Sequence, residues 1–296
     1  MSKNQSRKTS IPKSMKVGGR KKQVLSAVIV LIILALFLLY MFPFLMVLLN
    51  SFKSKRDIIS NPFSLRTKDG FNTRNFVQAF TKMNYLHSFM NSLVITGSST
   101  AFVTLFSAMC AYYFVRWNNK FSKVFSSLMA ASIIIPFQSL MIPLVIIYGN
   151  KLGVTDHRAT LVFMHIGFSM SMSTFIYQGF IKSNVPIALE EAATIDGCDR
   201  YRTFFQIVFP LLGPTTATLV ILNVLAFWND YLLPSLILST KELLTLPLTT
   251  YTFYGTYSAD YGIIMAALML TVMPILILYL ALQSKIISGV VAGAVK

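Results

Sequence analysis

Residues 27–49 form an unbroken stretch of 23 residues without a charged side chain, and that stretch leaves the chain few options. As an α-helix it extends about 35 Å, enough to cross a bilayer with modest tilt. Comparable apolar runs recur at about 86–115, 124–149, 159–181, 214–237 and 261–283. Each is long enough to span, so the expected fold class is all-α integral membrane, with six transmembrane helices. A cleaved leader fits the first run poorly, because the run is too long and no small-residue cleavage site follows Leu49. The composition, 55% hydrophobic and 12% charged, lies outside the range of soluble domains.

The net charge of +16 sets the direction of threading rather than pointing to nucleic acid. The basic residues sit in short segments between the apolar runs, not along one soluble face. Lys3, Arg7, Lys8, Lys13, Lys16, Arg20, Lys21 and Lys22 precede the first run with no acidic residue among them, which holds that end in the cytoplasm. With both termini inside, the cytoplasmic segments carry sixteen of the 26 lysines and arginines. Lys53, Lys55 and Arg56, just outside the first span, run against this bias, but long external loops escape it. The expected organisation is a basic cytoplasmic segment at 1–23, a membrane domain at 24–284 containing a cytoplasmic loop at 182–213, and a cytoplasmic tail at 285–296. Residues 50–85, with turn signals at Asn61-Pro62 and Asp69-Gly70, read as a long external loop.

Metal and redox chemistry find no support. His87, His157 and His165 lie in separate segments, and Cys110 and Cys198 have neither the spacing nor the setting of a pair. His165 and Ser169 suggest a hydrolase only superficially, since Gly167-Phe168-Ser169-Met170-Ser171 lacks the second glycine of a nucleophile elbow. Asp230, beside Trp228, Asn229 and Tyr231 near the outer end of the fifth run, is a candidate for the solute pathway, because an ionisable group at that depth is costly without a partner. Amide, carboxylate and aromatic groups together suit a sugar; the competing account of Asp230, and the simpler one, is a helix cap or an interhelical hydrogen bond. Ser169, Ser171, Ser173 and Thr174 in the fourth run can line a water-filled path or bond to their own helix. Pro43, Pro136, Pro143, Pro234 and Pro274 interrupt the runs and predict kinks. No internal repeat of the kind found in many secondary carriers is visible.

The loop at 182–213 carries the most specific pattern. Pro186 suits the first turn of a helix, Glu190 and Glu191 favour its N-terminal half, and Ile187, Ala188, Ala192 and Ile195 form a small apolar face. Gly197 can take positive φ to end that helix, and Asp199 can cap a second one running through Phe204, Phe205, Ile207 and Val208 to Pro210. A helix lying on lipid would show basic residues on its polar face; Glu190, Glu191 and Asp196 argue against that. The spacing Glu191-Ala192-Ala193, three residues, Gly197, nine residues, Ile207, two residues, Pro210 is the cytoplasmic signature of ABC importer permeases, and the chain resembles that family. The likeness runs from about residue 24 to 296. It includes Asn50-Ser51-Phe52-Lys53, Asn91-Ser92-Leu93, Ile135-Pro136, Ile142-Pro143, Trp228-Asn229-Asp230, Thr245-Leu246-Pro247-Leu248 and Ala292-Gly293-Ala294-Val295-Lys296. These segments are similar to the second permease subunit of carbohydrate-uptake systems, the one related to the maltose permease.

The resemblance implies a bacterial plasma-membrane protein working as a heterodimer with a homologous permease. It also implies two cytoplasmic ATPase subunits that bind ATP and Mg, and an extracytoplasmic sugar-binding protein. This chain would hold no cofactor of its own and hydrolyse nothing. Glu190, Glu191, Ala192, Ala193, Asp196, Gly197, Ile207 and Pro210 would belong to the element seated in an ATPase groove. The tail at 286–296 and the loop at 253–260 would correspond to contacts that some relatives make with the ATPase and the binding protein. In the maltose system the sugar is held mainly by the other permease. The alternative is an ion-coupled secondary carrier, for which the spans offer only Asp230 and His165.

Overall fold

The computed structural model describes residues 20–65, 70–117, 119–253 and 260–294. Most of the expected basic segment at 1–23, most of the loop at 253–260 and the last two residues of the tail lie outside them. Among the described residues the chain is helical, with no strand. Four helices are long and apolar enough to cross a membrane, or up to six if two sharply bent pairs each count as one crossing.

The first helix, α1 (Arg20–Ser51), is continuous through Pro43 and exposes apolar side chains around most of its surface, as a helix in lipid does. The segment expected as an external loop instead folds into two short helices, α2 (Lys55–Ser60) and α3 (Arg74–Lys82). Ser54 caps α2 through its hydroxyl. The Lys53 ammonium, buried, donates to the carbonyls of Pro62 (2.8 Å) and Asn61 (3.3 Å). Asn75 of α3 donates its amide to the carbonyls of Ser51 (2.8 Å) and Lys53 (2.9 Å), which fastens this platform to the end of α1.

The centre of the molecule is the pair α4 (Tyr85–Arg116) and α7 (Arg158–Asn184). Ser92, Thr96, Ser99, Thr100, Val103, Ser107, Ala108 and Ala111 of α4 are buried at helical spacing. Small side chains let the two backbones approach, which is how helices associate where no water drives them together. Between α4 and α7 the third apolar run divides into α5 (Lys120–Ser132) and α6 (Phe137–Leu144). A wider π-type turn (Val145–Lys151) continues α6. The two halves meet at 97°. Pro136 causes the break: it lacks an N–H, it disfavours helical geometry at Ile135, and it stands at the start of α6.

The loop beyond α7 holds α8 (Ile187–Ile195), α9 (Arg200–Thr203), a π-type turn (Phe204–Val208) and α10 (Phe209–Leu211). After a 76° bend at Leu212 the chain enters α11 (Gly213–Trp228). The fifth run is therefore shorter than 214–237. It stops at Trp228, and 232–237 form a separate helix, α12 (Leu232–Ile237), so Pro234 shapes α12 rather than kinking a span. A 3₁₀ turn (Lys241–Leu243) and α13 (Leu246–Tyr251) lead towards the last helix, α14 (Tyr261–Ala294), which is continuous through Pro274. Its Gly262 lies where a β-carbon would fall 2.6 Å from the Asn75 amide nitrogen and 2.7 Å from the Lys53 carbonyl.

Candidate functional site

Among the described residues, two clusters of polar side chains hold the candidates read from the sequence. The first is the loop between α7 and α11. Pro186 is extended and immediately precedes α8, one residue earlier than the sequence suggests. Gly197 has φ +81°, and Asp199 accepts a hydrogen bond from the Arg202 N–H (2.7 Å), so the local expectations for the turn and the second cap hold. Pro210 is exposed within α10 and Ile207 is half-buried in the π-type turn, so the second helical segment runs one residue past Pro210.

The face that α8 offers is apolar and open. Ile187, Ala188, Leu189, Ala192 and Ile195 are exposed, Ile195 to 86%, and Tyr201 and Phe205 extend the patch. Glu191, Asp196 and Gly197 are exposed beside it, whereas Ala193 is buried beneath. Glu190 points inward, unlike its neighbour. The Arg116 Nε donates to Glu190 Oε1 (2.7 Å) and the Tyr112 hydroxyl donates to Oε2 (2.9 Å), with both charged side chains nearly buried. Arg116 Nη2 also donates to the Val185 carbonyl (2.8 Å), so the end of α4 grips both the entry to α8 and its first turn. Arg200 stands 5.1 Å over the Trp117 ring, a cation–π contact that ties α9 to the same end of α4. Below, Tyr112, Tyr177, Ile181, Phe204, Val208 and Leu212 form one apolar core.

The second place lies at the break in the third run. His165 of α7 is buried; its Nδ1 shares a hydrogen bond with the Ser99 hydroxyl of α4 (3.0 Å), and its Nε2 lies 3.1 Å from Asp230 Oδ2. Asp230 Oδ1 accepts from the Leu233 N–H (3.3 Å), so the carboxylate both caps α12 and joins it to α7. The Phe227 ring stacks on His165 with centroids 4.4 Å apart. Against this chain opens a cavity of about 440 Å³, lined by Ser132, Phe137, His165, Phe168, Ser169 and Asp230 among others. It holds groups that suit a hydroxylated ring: hydroxyls, a carboxylate edge, and the Phe168 ring, which packs at right angles to Phe137.

Of the pathway candidates read from the sequence, Trp228, Asn229, Asp230, Tyr231, Ser169 and Ser173, the structure brings Asp230 and Ser169 to this cavity and not the other four. Trp228 is buried away from the cavity, its indole N–H donating to the Thr271 carbonyl (3.3 Å) and its ring meeting Phe89 edge-on. Asn229 bonds back to the Leu225 carbonyl of its own helix (2.8 Å), and Tyr231 stacks on Tyr251. Ser173 is buried against the Asn223 amide (3.5 Å). Ser132, Phe137 and Phe168 were missed; the signal for the first two was the Ile135-Pro136 step, whose break turns both towards the space beside α7. Ser99 beside His165 and Asp230 has the residue types of a hydrolytic triad, but its hydroxyl is fully buried and reaches no solvent-accessible substrate.

Residues 103–290 match the family described as the inner membrane component of binding-protein-dependent transport systems. The chain belongs to that family. It is a multi-pass plasma-membrane permease subunit of a binding-protein-dependent ABC importer. Over 94% of its length this permease is 39% identical to the probable starch degradation products transport system permease protein AmyC of Thermoanaerobacterium thermosulfurigenes, covering 99% of that protein. Over 88% of its length it is 37% identical to the multiple sugar-binding transport system permease protein MsmG of Streptococcus mutans, covering 93% of that one. Among solved structures it superposes on a chain of a bacterial ABC transporter involved in the import of the acidic polysaccharide alginate. That match has a TM-score of 0.75 at 17% identity and covers 90% of this chain and 98% of the other, so it speaks for the fold.

Proposed function

We propose that this permease forms half of the translocation pathway of a sugar or oligosaccharide importer, beside a homologous permease. An extracytoplasmic binding protein delivers the solute, and two cytoplasmic ATPase subunits bind ATP and Mg and drive the cycle. The sugar-transport relatives support the solute class. One observation carries the coupling role: α8 shows a partner an exposed apolar face, while its inward carboxylate, Glu190, is locked to Arg116 and Tyr112 of the central helix α4.

That arrangement suits force transmission. Glu191, Ala192, Asp196 and Gly197 lie where an ATPase groove can seat them, and a push on α8 reaches α4 through an ion pair and reaches α7 through the covalent turn at Val185-Pro186. Nucleotide-driven closure of the ATPases then needs to supply about 5.5 kcal/mol of differential affinity to move the bundle from 1:99 to 99:1 between two openings. On this reading the Ser99–His165–Asp230 chain braces three helical elements beside the solute cavity, and the chain itself hydrolyses nothing. An ion-coupled carrier would need free ionisable groups deep in the bundle, whereas both His165 nitrogens are already engaged.

Tagged permease purified from membranes tests this reading. It should bring an ATPase with it, and cells lacking it should lose uptake of one member of a sugar panel. A chain that transports alone in vesicles, without nucleotide, would overturn the proposal.

A further inference from the structure

The cavity beside the break in the third run carries charge of one sign. Of the described residues that line it, Asp230 is the one carboxylate, and neither a lysine nor an arginine is among them. The Asp230 side chain is 23% exposed, whereas that of its basic neighbour His165 is 4% exposed. Both ring nitrogens of His165 are engaged, Nδ1 with Ser99 and Nε2 with Asp230, so the imidazole has no N–H to offer a solute anion. Apolar side chains make up most of the remaining wall, with hydroxyls at Ser132 and Ser169.

A carboxylate on a wall of low dielectric repels a second anion far more strongly than it would in water. A sugar hydroxyl meets no such repulsion. Asp230 Oδ1 accepts from the Leu233 N–H and Oδ2 faces His165, and each oxygen keeps a lone pair to which a hydroxyl can donate. A phosphate, sulfonate or uronate group would enter desolvated and find no cation to pair with. An unpaired charge facing the wrong ligand is how a site rejects it without tighter contacts to the right one. We infer that Asp230 makes this cavity selective by charge, admitting neutral glycosyl units and refusing sugars that carry a phosphate, sulfonate or uronate group. This inference rests on the proposed reading that the cavity belongs to a sugar path, and it narrows the solute class within that reading.

Thiol labelling in the assembled transporter tests it without depending on delivery by a binding protein. With Cys110→Ser and Cys198→Ser as background, Ser169→Cys places one reporter thiol on the wall, and labelling is read as added mass on this chain. Relative to their rates with a free thiol, a cationic trimethylammonium-ethyl methanethiosulfonate should react on the order of 10-fold faster than the anionic sulfonatoethyl reagent. Asp230→Asn should bring that ratio close to one, and Asp230→Glu should keep it. Glu242→Gln removes an exposed carboxylate elsewhere and should leave the ratio unchanged. In the same complex, maltotriose should slow labelling by a neutral methanethiosulfonate. Trigalacturonate at equal concentration should not, except in the Asp230→Asn variant. If that variant does not assemble, the ratio and the protection pattern with Asp230 intact decide the matter. A ratio near one with Asp230 intact, an equal loss in Glu242→Gln, or equal protection by the two trisaccharides would each overturn the inference and leave the sugar path standing. Protection by neither trisaccharide would overturn the sugar path itself.

Discussion

Glu190 and Glu191 are neighbours in sequence with opposite surroundings. Glu191 is exposed at the edge of the α8 patch, and Glu190 is held by Arg116 and Tyr112. Removing one partner of a nearly buried pair strands the other, so Glu190→Ala should destabilise the folded chain by about 3 kcal/mol in a detergent melt. Exchanging the charges, Glu190→Arg with Arg116→Glu, should recover part of that loss; no recovery would mean that the pair does not act as a strut. Glu191→Lys should leave the melt unchanged yet abolish uptake. Gly197→Asp places a side chain at φ +81° and should cost about 1–2 kcal/mol locally while uncoupling transport from ATP hydrolysis. The glycine turn and the Asp199 cap were legible because each depends on its own few residues. The inward turn of Glu190 was not, because its partners lie more than seventy residues away along the chain.

Among the elements, those that departed from the sequence reading did so where local breakers outweigh apolar length. In the third run the kink expected at Pro136 is a bend of 97°, sharp enough to split the run into two helices beside the cavity at His165. The fifth run ends early because Asp230 caps a new helix instead of continuing the old one. The external segment showed two turns but concealed α2 and α3, whose anchoring rests on Asn75 and on the close approach of Gly262. Gly262→Ala should force that contact apart and lower stability by about 2 kcal/mol, read as a lower melting temperature, with no change in the α8 surface. At the same end Asp156 ties the start of α7 to the segment after α12. Its carboxylate accepts from the Thr240 hydroxyl and from the N–H groups of Thr240 (2.9 Å) and Ser239 (2.8 Å). The Thr240 hydroxyl first, and then those backbone groups, hold the carboxyl below its ordinary value of 3.8. A depressed folded value means that the clasp contributes fully above the ordinary carboxylate range and is lost as pH falls through the folded one. Hydrogen exchange at Ser239 and Thr240, corrected for intrinsic rate, should therefore rise only below about pH 3.8. Asp156→Asn should raise it at neutral pH.

For the whole molecule, the six apolar runs gave the class correctly and the crossings only coarsely: four long helices plus two bent pairs. The hydroxyl-rich face of α4 that packs on α7 escaped notice, since serines and threonines in an apolar run look like dilution until a second helix lies against them. On the reading proposed above, α8 is the surface through which an ATPase moves this bundle. A photo-crosslinking amino acid at Ile195, 86% exposed at the end of α8, tests it most directly in the assembled transporter. An adduct with the nucleotide-binding subunit that strengthens when ATP is added is the expected result. Adducts with lipid alone, or with an extracytoplasmic protein, would contradict it.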